Sequence, residues 1–143
     1  MILAVDLGVK TGMALFEPSG ELVWVRSSNF GNASRLRKAV PGFLNPLPER
    51  SILVMEGGGA MSEIWEKEAR KHNISVIRIH AGEWRKDIFY QREQRSGVKA
   101  KSNALQLAME LIRDSSIPAP KSLTDDAAEA FLVGYWFINY YLK

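Results

Sequence analysis

Residues 1–7, MILAVDL, are apolar apart from Asp6 and include the β-branched Ile2 and Val5. Such a run predicts a strand buried on both faces, central in its sheet. GVKTG then turns the chain, Met13 to Phe16 predicts a second strand, EPSGE is a turn, and Leu22 to Arg26 alternates as a third strand. Together these make a three-stranded antiparallel meander. A short helix is expected over 33–40, stopped near Pro41, followed by the proline-rich NPLPER. Ser51 to Glu56 predicts another buried strand, ended by Gly57, Gly58 and Gly59. Residues 60–72 predict a helix with Met61, Ile64, Trp65 and Ala69 on one side, and Ile74 to Ile79 a further strand. Residues 83–100 are polar and basic and carry no clear period. Ser102 to Arg113 predicts a helix with Leu105, Ala108, Met109 and Ile112 inward, and IPAP breaks it. The last helix is expected from Thr124, as N-cap, to about Tyr141. The order βββ-α-β-α-β-α-α describes one α/β domain over residues 1–143. Its five-stranded mixed sheet has three antiparallel strands, then two in βα units, and helices flank it.

Composition narrows the chemistry. A chain of 143 residues can bury a core without disulfides or metals as staples. It has no cysteine, which excludes thiolate metal sites, disulfide frameworks and cysteine nucleophiles, and suits a reducing compartment. The N-terminal MILAVDLGVKTG lacks the basic leader of a signal peptide. The longest apolar stretch, near 127–138, falls short of the ~20 residues that span a bilayer. A soluble, intracellular, cytoplasmic protein is expected, with no membrane partner.

Charge adds a second feature. The net charge is only +3. Yet residues 85–101 hold Arg85, Lys86, Arg92, Arg95, Lys99 and Lys101 against Asp87 and Glu93. Trp84, Phe89 and Tyr90 are interleaved with these cations. Basic residues among aromatics suit nucleic acid, cations meeting phosphates and rings meeting unpaired bases. A solvated face with Trp84 in the core is the alternative. Lys10 and Thr11 follow Asp6 closely and are further candidates for DNA contact. Gly57 to Gly59 would allow close approach of a phosphate backbone, or serve only as a turn. The Walker spacing is absent, so no nucleotide cofactor is implied.

The carboxylates carry the chemistry. Asp6 interrupts a buried strand, and Glu56 ends another in LVMEGGG. Asp126 and Glu129 share a face at the start of the last helix, and Asp125 lies four residues from Glu129. Each acid has a local alternative: Asp6 in the GVKTG turn, Glu56 as a cap, Asp125 and Asp126 complementing the helix dipole. Glu129, set among Ala127, Ala128, Ala130 and Phe131, is harder to explain that way. An aspartate in a buried strand is costly unless paired or metal-bound. Several converging carboxylates would repel one another unless a divalent cation joined them. Oxygen-only ligands favour Mg²⁺ or Mn²⁺ over Zn²⁺.

In AVDLGVKTGMALF, LVMEGGG and DDAAEAFLVGYW, with EWRK and GVKAKSNALQLA between them, the chain resembles the RuvC-like Holliday junction resolvases of the RNase H-like nuclease superfamily. The resemblance covers nearly the whole length and rests on the order and spacing of these segments. It implies an RNase H-like fold, a homodimer, and a metal-dependent endodeoxyribonuclease acting on four-way DNA junctions. It implies that Asp6, Glu56, Asp126 and Glu129 hold two ions, Mg²⁺ or Mn²⁺, and that hydrolysis leaves a 5′-phosphate and a 3′-hydroxyl. The family pattern ends in Asp where this chain has Glu129, which leaves Asp125 or Asp126 as its partner, with Asp126 favoured. Lys101 or Lys99 would steady charge at the scissile phosphate, and Lys10, Arg85, Lys86, Arg92, Arg95, Lys99 and Lys101 would contact DNA. Other readings are a different RNase H-like nuclease, cutting branched DNA or RNA–DNA hybrids, and a non-catalytic junction-binding module.

Overall fold

The computed structural model describes residues 1–89, 98–118 and 120–143, and for residues 98–102 it describes the backbone only. Three strands open the chain: β1 (Ile2–Asp6), β2 (Lys10–Phe16) and β3 (Leu22–Asn29). Then come α1 (Ala33–Leu44), β4 (Ile52–Glu56), α2 (Ala60–Lys71) and β5 (Ser75–Ile79). Helices α3 (Ala81–Ile88), α4 (Val98–Arg113) and α5 (Asp125–Trp136) follow. The sheet order is β3-β2-β1-β4-β5. β1 pairs antiparallel with β2 and parallel with β4, and β5 joins β4 in parallel. This five-stranded mixed sheet flanked by helices is consistent with an RNase H-like fold, with β1 at its centre.

Alternation along the strands divides two cores. Ile2, Ala4, Ala14, Phe16 and Val54 face α4 and α5. Leu3, Val5, Met13, Leu15, Leu53 and Met55 face the other way, with Leu36, Val40, Leu44 and Trp65 of α1 and α2. β1 is therefore buried on both faces, as its unbroken apolar run predicts.

Helix α1 runs through Pro41 instead of stopping there. Losing one backbone bond at a proline costs ~3 kcal/mol. The turn beyond it buries Leu44 and packs Phe43 against Trp24, Phe30 and Trp65. Burying Leu44 fully and Phe43 in part contributes ~2–4 kcal/mol, comparable to the break.

The start of the stretch without a clear period is helical as α3. The backbone N–H of His80 donates to Glu83 Oε2 at 2.8 Å, half of a capping box. Trp84 is fully buried, which settles its place in the core, and Phe89 is buried beside it, ring centroids 6.2 Å apart. In α4 the fully buried row is Ala104, Ala108 and Ile112; Met109 is only half-buried.

Helix α5 starts at the expected cap, Thr124 Oγ1 accepting from the Ala127 N–H at 3.3 Å. It crosses the sheet over β1 and β2, with α3 and α4 packed against it. Its apolar arc is therefore covered by its own chain. Past Trp136 the helix widens into a π-helical turn, Phe137–Tyr141, closed by Leu142 N–H donating to Phe137 O at 2.9 Å. Among the described residues no helix is long and apolar enough to cross a membrane.

Candidate metal centre

Asp6 and Glu56 are paired residues of the parallel strands β1 and β4. Ala4 and Val54, two residues back, face α5, so period two sends both carboxylates to that side. They lie where the strands end, and α5 begins above them. The direction of α5 follows from two contacts. Gly12, the β2 partner of Asp6, lies under the backbone of Asp126, and Phe16 lies under Gly134. Four strand residues cover ~13 Å and eight helical residues ~12 Å, so helix and strand run in step. The N-terminus of α5 is thereby held over the ends of β1 and β4.

One carboxylate oxygen from each of Asp6, Glu56 and Glu129 lies within 4.8 Å of the others. Three elements distant in sequence thus deliver three acids to one point. Asp126 stands beside them, and its Oδ2 accepts from the Ser27 hydroxyl on β3. Asp125 is exposed, whereas Asp126 is half-buried and adds to the negative field at Asp6. The notch is open: Asp6, Lys10, Leu123, Thr124, Asp125, Asp126 and Glu129 line a groove of about 610 Å³.

The electrostatics are those of crowded acids. Burial, then the Glu56 and Glu129 carboxylates, push the Asp6 carboxyl from an ordinary 3.8 up to about 8. A protonated Asp6 also hydrogen-bonds Glu129, and Asp126 raises it further. Burial and Glu129 push Glu56 up to about 7, while the Trp84 indole N–H and Arg85 pull it back. The indole falls short of a full hydrogen bond. Among the described residues, Glu56 Oε2 and Trp84 Nε1 are both buried with no hydrogen-bond partner.

Arg85 is the cation inside this cluster. Its Nη2 donates to Glu129 Oε1 at 2.5 Å, and its guanidinium lies over the Trp84 ring, 4.5 Å from the centroid. The charge pattern of the sequence assigns Arg85 to DNA and carries no sign of this pairing. Ser27 and Gly12 were also missed. Trp84 and Ile88, one turn apart behind Glu83, were the signal for the helix that presents Arg85.

The donor set fits a hard divalent cation. Oxygens bound to one Mg²⁺ at ~2.1 Å lie ~3.0 Å apart when adjacent and ~4.2 Å apart when opposite, so Asp6, Glu56 and Glu129, within 4.8 Å of one another, would draw inward around it. Glu56 Oε2, buried and unpartnered, is the atom such an ion would satisfy. Of the residues expected on DNA, Lys10 is exposed at the groove and Lys86 is exposed on α3. Arg92 and Arg95, and the side chains of Lys99 and Lys101, lie outside the described residues. Compared with protein-family models and with curated proteins, the chain gives no match.

Proposed function

We propose that this protein is a metal-dependent endodeoxyribonuclease that resolves four-way DNA junctions. The observation that carries the reading is the meeting of Asp6, Glu56 and Glu129 within 4.8 Å at one end of the sheet. Four acids face one guanidinium, so the cluster is negative once they ionise, a poor place for a phosphodiester without added cations. Bound Mg²⁺ or Mn²⁺, two ions in the expected arrangement, would supply an activated water and stabilise charge on the leaving 3′ oxygen.

Within the proposal the chain's own groups divide the work. Asp6 and Glu56, fixed by strand pairing, form the rigid floor of the site. Glu129 and Asp126 close it from α5, and Ser27 orients Asp126. Lys10 stands at the groove where a phosphate backbone would enter. The basic strip from Lys86 to Lys101 supports a DNA partner through charge, and Lys101 is the proposed cation at the scissile phosphate. A four-way junction has distorted backbone at its centre, so shape can be read without base contacts. A homodimer, cutting two strands symmetrically, belongs to the proposal, as does a soluble, cytoplasmic setting. Tyr140, Tyr141 and Leu142 are exposed at the chain end and available to a second copy.

The test is cleavage of a mobile synthetic junction with Mg²⁺ or Mn²⁺, beside flaps, duplex DNA and RNA–DNA hybrids. The expected products are symmetric nicked duplexes with ligatable ends. Preferential cleavage of hybrids would move the reading to a ribonuclease H. Tight junction binding with no cleavage would leave a binding module.

A further inference from the structure

Arg85 is held on three sides. It pairs with Glu129 at 2.5 Å, stacks over the fully buried Trp84, and lies close enough to Glu56 to lower its pKa. The Arg85 and Glu129 side chains retain only 22% and 17% of their exposure. A second tie fixes the same two helices, Trp136 Nε1 donating to Asp87 Oδ2 at 2.7 Å. The guanidinium is therefore a built part of the site and not a solvated surface charge. It occupies an oxygen of one of the three acids that converge for a cation. An arginine stays charged at any working pH, so it leaves only by moving.

We propose that Arg85 is the resident counter-ion of the carboxylate cluster: it holds Glu129 in place in the metal-free protein and is exchanged for the divalent cation. The inference rests on the metal-dependent reading above. It makes Arg85 a positioning residue with a cost. The pair keeps the acids from splaying apart, and it competes with the metal for Glu129. Removing it leaves a more negative site that takes metal more readily, whereas a merely structural arginine would leave a damaged site that takes metal less well.

The experiment is calorimetric titration of Mn²⁺ into DNA-free protein, comparing the unmutated chain with R85Q, R85K and R113Q. Arg113 is exposed at the end of α4 and controls for loss of one positive charge. R85Q is expected to bind Mn²⁺ about tenfold more tightly, equivalent to about 1.4 kcal/mol. R85K restores the charge and is expected within about threefold of the unmutated protein. R113Q should match the unmutated chain. Binding by R85Q that is equal or weaker overturns the inference alone, as does R85K binding as tightly as R85Q or R113Q matching R85Q. Binding by R85Q but not by the unmutated chain supports it. Binding by neither overturns the metal reading and this inference together. A measurement without a folding risk uses the unmutated protein. The Arg85 Nε–H resonance, assigned through R85K, should shift on saturation with Mg²⁺ while that of Arg113 does not. An unmoved Arg85 resonance would overturn the exchange.

Discussion

Gly12 has no side chain where the backbone of Asp126 crosses it: a β-carbon at Gly12 would overlap the Asp126 carbonyl oxygen and lie 2.8 Å from the Ala127 nitrogen. Since Gly12 is also the strand partner of Asp6, one contact sets the height of α5 above the first carboxylate. Gly12→Ala should force the start of α5 off the sheet. The expected cost is ~1–3 kcal/mol from overpacking against backbone that cannot rotate away. Gly134→Ala meets the Phe16 ring at the other end of the helix, also without room, since Phe16 is 1% exposed. There a gain in helix propensity of ~1 kcal/mol offsets part of the strain. Denaturant unfolding should rank Gly12→Ala as the more damaging, and only Gly12→Ala should also weaken Mn²⁺ binding. Equal metal affinity in both variants would refute the link between Gly12 and the site.

The raised carboxyls of Asp6 and Glu56 imply a pH dependence with a definite sign. Their folded pKa values, about 8 and about 7, lie above the ordinary 3.8 and 4.5. The folded chain then holds protons that the unfolded chain has lost. Their contribution to stability is full below about pH 4 and is lost as pH rises through 7 and 8. In EDTA the protein should melt at a lower temperature at pH 9 than at pH 5.5. Saturating Mg²⁺ should reduce that loss, because metal replaces the protons and binds more tightly as pH rises. Identical melting at both pH values in EDTA, or the same loss in an Asp6→Asn, Glu56→Gln double variant, would contradict the assignment.

Asp126 and Asp125 differ by one position and by their surroundings. Asp126 is half-buried, bonded to Ser27 and felt by Asp6; Asp125 is exposed. Asp126→Asn should lower Mn²⁺ affinity by at least about tenfold, the range for supporting groups of metal sites, and Asp125→Asn by much less. Ser27→Ala should produce a smaller loss than Asp126→Asn. A larger effect at Asp125 would exchange their roles.

Asp6→Asn should reduce metal-dependent junction cleavage by at least about 100-fold, since even outer partners of metal sites cost 10–100-fold. Under the proposed function junction binding should survive, because asparagine keeps the size of Asp6 and brings no negative charge to the groove. Cleavage rates and gel-shift affinities measured on the same preparation separate the two. Full cleavage by Asp6→Asn would end the metal mechanism.

Alanine at Arg92, Arg95, Lys99 and Lys101 together should weaken junction binding and flatten its salt dependence, by about 0.9 in logarithmic slope for each duplex phosphate that is no longer neutralised. Binding measured between low and moderate salt reads this directly. A slope equal to that of the unmutated chain would take the basic strip out of the interface.

The strands were legible in their apolar stretches, punctuated by turn residues; the polar ends, Lys10 to Gly12 of β2 and Ser27 to Asn29 of β3, were not. The cap at Thr124 was legible because it involves only its own turn. Asp6 and Glu56 stood out because carboxylates at the ends of buried strands are expensive. Two local signals misled. Pro41 reads as a stop, but the gain from burying Phe43 and Leu44 depends on partners elsewhere in the chain. Residues 83–88, the start of the stretch without a clear period, read as polar because Trp84 and Ile88 are their only apolar residues.

By itself the sequence determined where the acids sit along the chain, and which elements would carry them, since periodicity and capping act over a few residues. Whether those acids meet was decided by tertiary structure. Ser27 reaches Asp126 across 99 positions, and Arg85 reaches Glu129 across 44. Such pairs exist only after Gly12 and Gly134 have let α5 settle on β2. Close packing has no sequence period, and so the counter-ion, the orientation of Asp126 and the height of the helix over Asp6 became visible only in the folded chain.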